Sequence, residues 1–178
     1  MSPKSLTPLK IEIANASWRR LRGLKPRLQK AAAMTLAALP QNLQVAAEQG
    51  EFTLLLTTDA VVKRLNHDWR GKDKPTNVLS FPQLDVRELR KVRPGIDFPY
   101  IGDIAIAYQF MAAEAKREQK EILDHLMHLM IHGILHIFGY DHVSTKQANQ
   151  MERLEKEIMF GLGLPDPYAP ILPKRAKR

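Results

Sequence analysis

The alternation of apolar and polar positions divides the chain into strands and helices before any residue is given a role. Leu9 to Ile13 alternates apolar and charged residues and predicts a half-buried strand. Pro26 to Leu39 is rich in strong helix formers, with proline in its first turn and Pro40 beyond its end, so it predicts a helix without chemistry of its own. Phe52 to Thr58 predicts a buried strand, and Asp59 an N-cap for a short helix over Ala60 to His67. A polar turn then leads into a strand that begins at Val78, and Ile101 to Ala107 predicts another. Between these two, Gln83 to Tyr100 carries mixed charges and a Pro94-Gly95 turn, the pattern of a mobile surface insertion with Arg87, Arg90, Lys91 and Arg93 available to a substrate. Gln109 to Lys120 reads as a charged amphipathic helix that feeds a more apolar one, with a short break near Lys120. Ser144 caps a last helix, roughly Thr145 to Leu162, with acidic and basic residues alternating on its outer face.

The apolar helix carries the most informative pattern. Five of the six histidines lie between His125 and His142. At about 100° per residue, His125, His128, His132 and His136 share one side of a helix that is otherwise Leu, Met, Ile and Phe. A buried histidine stripe with no carboxylate beside it in sequence calls for a cation. His132 and His136 are one turn apart, Gly139 can end the helix in a left-handed conformation, and His142 can return as a third ligand. Three imidazoles that leave one coordination position open describe a catalytic zinc site, one Zn2+ per chain. The plainer alternative is a set of core histidines bonded to carbonyls, which suits one such residue better than three. His128 is expected as a pocket wall or an outer partner of the ligands, and His125 as structural.

Composition adds bounds. The 178 residues contain no cysteine, so any metal rests on nitrogen or oxygen ligands, and a reducing, cytoplasmic setting is expected. No apolar run predicts a membrane span, and Met1 to Leu6 lacks a signal-peptide pattern. A single domain over residues 1–163 is expected, followed by a Pro-rich basic tail over 164–178 that is too polar to pack. The net charge of +8 points to a polyanionic partner. Arg70, Lys72 and Lys74 stand in the polar turn before Val78, where they could grip phosphate. Solvated charges, with Arg70 paired to Asp68 or Asp73, explain the turn equally well. Asp103, in an apolar strand, could orient a ligand histidine, cap a loop or pair with Arg70, and Asp141 could orient a histidine or its loop.

Three blocks together resemble the bacterial YbeY family, the rRNA maturation endoribonucleases: His132-Gly-Ile-Leu-His-Ile-Phe-Gly-Tyr-Asp-His142, Asn66 to Phe81 with its Trp-Arg-Gly-Lys-Asp-Lys-Pro-Thr-Asn-Val-Leu-Ser-Phe, and Ile101-Gly-Asp-Ile104. The resemblance covers roughly residues 50 to 145. It implies an α+β fold, a small mixed β-sheet packed with helices and a central metal-bearing helix, similar to metalloproteases. It implies zinc on His132, His136 and His142, a functional arginine at Arg70, and cleavage of single-stranded RNA in 16S rRNA 3′ end maturation and ribosome quality control. Its implied partners are the small ribosomal subunit, ribosomal proteins and an assembly GTPase.

Two competing functions are open at this level. The spacing His-x3-His-x5-His is shared with zinc proteases of the metzincin type. Their glutamate general base would stand where this chain has Gly133, which cannot take a proton. The other is a non-catalytic assembly factor stiffened by zinc, with His128 as a fourth ligand.

Overall fold

The computed structural model describes residues 9–170. Four strands form one sheet in the order β1-β2-β4-β3: β1 (Leu9–Ile13), β2 (Glu51–Thr57), β3 (Val78–Pro82) and β4 (Tyr100–Ala107). β1, β2 and β4 run parallel and β3 pairs antiparallel to β4, so the sheet is mixed and β3 is an edge. The helices are α1 (Ala16–Arg19), α2 (Leu24–Ala37), α3 (Gln44–Gln49), α4 (Asp59–Arg70), α5 (Val86–Leu89), α6 (Tyr108–Arg117), α7 (Ile122–Ile137) and α8 (Thr145–Gly161). No helix among the described residues is long and apolar enough to cross a membrane. The expected α+β architecture with a central histidine-bearing helix is the one observed.

α7 is central because it is apolar on nearly every face. Leu126, Met130, Ile131, Ile134 and Leu135 are fully buried between the sheet, α2, α6 and α8. Its close seat on the sheet depends on Gly133, where a Cβ would lie 2.9 Å from Ile104 Cγ2 and 3.1 Å from Ser80 Oγ. Gly102 makes the opposing surface equally tight. It holds φ 155°, which side chains rarely adopt, and a Cβ there would meet the Phe81 carbonyl oxygen at 2.7 Å and Ile137 at 3.3 Å. Gly102→Ala is therefore expected to cost about 2–4 kcal/mol, from backbone strain and overpacking together. Urea unfolding measures it, and a variant as stable as the parent would remove the argument.

Several local expectations need correction. α4 runs on to Arg70, and its N-cap is Thr58. The Asp59 carboxylate accepts instead from the Phe110 backbone N–H at 3.0 Å and ties α4 to α6. Between β1 and α2, where the alternation predicts no element, Trp18 is buried and donates Nε1–H to the Thr57 carbonyl at 3.0 Å. The insertion before β4 is held at several points. Asp85 and Glu88 form a capping box on α5, Leu89 is buried, Arg93 pairs with Asp97 at 3.1 Å, and Gln49 donates to the Asp97 carbonyl at 2.7 Å. Leu89 and these bonds replace the freedom that the charge pattern suggested. The residues assigned to a structureless tail begin with a packed stretch, in which Pro167 is buried and the Tyr168 hydroxyl donates to Glu155. Lys174 to Arg178 lies outside the described residues.

Candidate metal centre

α7 ends in a turn whose hydrogen bonds set the ligand geometry. The Tyr140 N–H donates to the Leu135 carbonyl at 3.0 Å and the Gly139 N–H to the His136 carbonyl at 3.0 Å. This is a Schellman termination, which needs the left-handed φ of 85° that Gly139 supplies. A Cβ there would also press on Val86 of α5 at 3.0 Å, so the insertion buttresses the turn. The reversal brings His142 back beside the helix, and the Asp141 carboxylate steadies it by accepting the His142 N–H at 2.7 Å.

One nitrogen from each of His132, His136 and His142 lies within 4.8 Å of the others. Two of the rings are turned by their outer nitrogens. His132 Nδ1–H donates to Glu155 Oε1 at 2.8 Å, and His136 Nδ1–H donates to the Tyr140 carbonyl at 2.9 Å. Their Nε2 atoms consequently face each other at 3.0 Å with lone pairs directed to a common point. Paired lone pairs without a proton donor between them repel, and a cation resolves that repulsion. The donor set is all imidazole, so it fits zinc, and equally other divalent ions that accept nitrogen ligands.

Burial first, then the charges of His132 and His142, push His136 down to about 4, against the weaker pull of the Tyr140 carbonyl. The imidazole is thereby neutral at neutral pH, the state in which a histidine can bind a metal. In the unfolded chain a histidine takes up its proton near about 6.5. Between those values the unfolded chain binds more protons than the native one, so stability should fall as the pH drops through that window. The metal-free protein is expected to melt at lower temperature at about pH 5 than at about pH 7, with a shallower dependence in His136→Ala. Thermal melts across that range check it, and equal slopes would count against it.

Glu155, on α8, is the residue that sequence reasoning missed. It is 0% exposed and accepts from His132 on one oxygen, and from His128 (3.1 Å) and Tyr168 on the other. Burial alone would raise its carboxyl, but the bonds from His128 and then His132, with their charges, outweigh it and hold it at about 2. Burial, followed by the Glu155 charge, pushes the Tyr168 hydroxyl up, so it stays a donor. A usable signal was present. Glu155 interrupts the apolar stripe Met151, Ile158, Met159 at helical spacing, where a solvated acid would not sit.

The remaining predicted residues divide cleanly. His128 lies behind the ligands and shares Glu155 with His132, as an outer partner would. His125 is structural: its Nε2 bonds Glu114 at 2.8 Å, and Glu114 also accepts from Asn77 at 2.7 Å. Arg70 reaches the site, lining a cavity of about 510 Å³ with Asn77, Ser80, Asp141 and the three histidines. The alternative pairings are taken by others, Asp68 by His67 at 3.0 Å and Asp73 by Lys63 at 3.3 Å. Lys72 and Lys74 are exposed and do not line the cavity, because the chain turns away after Gly71. Asp103 does not touch a ligand histidine. Strand alternation puts it on the sheet face opposite α7, where it accepts from the Tyr100 hydroxyl. Gly133 leaves no acid in the glutamate's place, and Asp141 is the only carboxylate among the cavity-lining residues.

The fold and site together define a three-histidine cluster of a geometry that could hold a metal ion, beside an arginine, at the end of a buried helix on a small mixed sheet. The family described as Endoribonuclease YbeY matches residues 12–163, and the chain belongs to it. The relatives named Endoribonuclease YbeY include one from Bradyrhizobium sp., 52% identical over 75% of this chain and 79% of its own. Another, from Allorhizobium ampelinum, is 46% identical over 86% and 87%. A third, from Bradyrhizobium diazoefficiens, is 40% identical over 95% and 89%. The solution structure of TM1509 from Thermotoga maritima shares the fold, with a TM-score of 0.53 at 20% identity over 90% of this chain and 99% of that one.

Proposed function

We propose that this protein is a zinc-dependent endoribonuclease that hydrolyses phosphodiester bonds in single-stranded RNA. The observation that carries the reading is the convergence of His132, His136, His142 and Arg70 on one cavity in a chain of the Endoribonuclease YbeY family. Bound there, zinc supplies Lewis acidity and lowers the pKa of water to about 7. The protein's own groups do the rest. Glu155 and the Tyr140 carbonyl fix the ligand rings, and Arg70 donates to the phosphate oxygens as negative charge builds in the transition state. Lys72 and Lys74, outside the cavity, can hold neighbouring phosphates of the strand. A single strand bends into the cavity more readily than a duplex, whose backbone is held straight. The substrate we infer is the 3′ end of 16S rRNA in the small ribosomal subunit, in maturation and quality control, within the cytoplasm. Ribosomal proteins and an assembly GTPase are the partners this role implies.

The test is cleavage of a labelled single-stranded RNA by the wild type and by Arg70→Ala, with zinc content measured in both. Arg70→Ala is expected to keep its zinc and lose about 10²–10³ in kcat, the usual cost of a charge-stabilising donor. Equal rates would remove Arg70 from the chemistry. A precursor small subunit, offered as substrate, should be cut at the 16S 3′ end and left uncut by the same variant.

A further inference from the structure

Around the edge strand β3 from the metal centre lies a second groove, of about 500 Å³, on the opposite face of the sheet. Its walls are apolar, chiefly Leu55, Leu65, Trp69 and Phe81, and Asp103 and Gln83 give it polar points. Trp69 is 72% exposed, although an indole is costly to leave in water. It leans on Phe81, with ring centroids 6.0 Å apart at 59°, which steadies the indole and leaves it largely open. Arg70, the next residue, lines both this groove and the metal-centre cavity, as do Ser80 and Pro82.

We propose that this groove is a nucleobase subsite: one unpaired base of the RNA strand stacks on Trp69 while a neighbouring phosphate lies at Arg70 and the metal centre. The inference rests on the RNA reading above. The groove's chemistry selects a base over the rest of the strand. A phosphate can pair with Arg70, where groove and cavity meet, but the rest of the lining gives it only apolar walls, a glutamine and the Asp103 carboxylate, whereas a base offers an apolar face to Trp69 and N–H groups on its edge to Asp103 and Gln83. The path is short, because Arg70 and Trp69 are adjacent at the last turn of α4 and the strand need only pass the β3 edge between them. A duplex could not supply such a base without unpairing it, so the subsite also gives a reason for single-strand preference.

The experiment pairs variants with modified substrates. Single-stranded oligoribonucleotides, each with one abasic nucleotide at a different position, are cleaved by the wild type, Trp69→Ala and Trp69→Phe. One abasic position should raise KM about 10-fold in the wild type and add nothing in Trp69→Ala, and Trp69→Phe should keep most of the wild-type affinity. Binding of intact RNA should also quench tryptophan fluorescence, since the other tryptophan, Trp18, is buried. If the wild type cuts RNA but no abasic position couples to Trp69, the subsite is overturned and the nuclease reading stands. If the wild type neither binds nor cuts single-stranded RNA, both fall.

Discussion

Replacing His136 with alanine is expected to remove the bound metal and at least about a thousandfold of the RNA-cleaving activity, while the chain stays folded. The loss is large because His136 contributes in two ways. Its Nε2 is one of three converging donors, and its Nδ1 bond to the Tyr140 carbonyl fixes the turn that returns His142. Two remaining imidazoles hold a divalent ion far more weakly than three. The fold should survive, because the turn is also secured by the Gly139 and Tyr140 backbone bonds, and the core around Ile134, Leu135 and Phe138 is untouched. Metal analysis, circular dichroism and the cleavage assay on the same preparation separate the possibilities. A folded, metal-free and inactive protein is the expected result. An unfolded one would favour the alternative in which zinc only stiffens an assembly factor. A metal-free but fully active one would sink the metal-dependent mechanism.

The three-histidine cluster was legible in the sequence because helix geometry alone aligns His132 with His136, and a glycine three residues later marks where the chain can turn back. Arg70 stood out in the sequence as a candidate for phosphate, but not by its place in the fold. The polar run after it suggested a loop, whereas the α4 helix carries it to the cavity rim and the chain departs only at Gly71. That difference separates Arg70 from Lys72 and Lys74, which shared the same pattern in sequence. Asp103 shows the opposite error. An acid in an apolar strand is conspicuous, but which face it takes depends on register with β2 and β3, and those pairings are long-range. Its neighbours Gly102 and Ile104 face α7, so Asp103 faces away and serves the second groove. Glu155 is only half legible: its place in the stripe of Met151, Ile158 and Met159 marks it for burial, but the charged residues around it in α8 resemble solvent-facing surface, and its partners are not written in the sequence. The packing of α8 on α7 turns it inward.

Glu155 should also be needed for tight metal binding, by a different route. Glu155→Gln keeps the shape but halves the accepting capacity of a group that serves three donors. One of His132, His128 and Tyr168 must then lose its partner or meet an amide N–H. The His132 ring becomes less basic and less firmly oriented, so metal affinity is expected to fall about 10–100-fold, with activity restored by excess metal. Glu155→Ala goes further. It strips a buried carboxylate from two histidines and a tyrosine and leaves a cavity between α7 and α8, a loss of about 3–5 kcal/mol. Zinc titrations against a competing chelator read the first effect, and urea unfolding of the metal-free proteins reads the second. The two variants are informative together. A carboxylate acting only as packing would make Glu155→Gln harmless to metal affinity. A carboxylate that orients His132 makes that variant weak for metal while it remains close to the wild type in fold. The second pattern follows from the 2.8 Å bond to Nδ1, because that bond decides which nitrogen of His132 is left to face the metal.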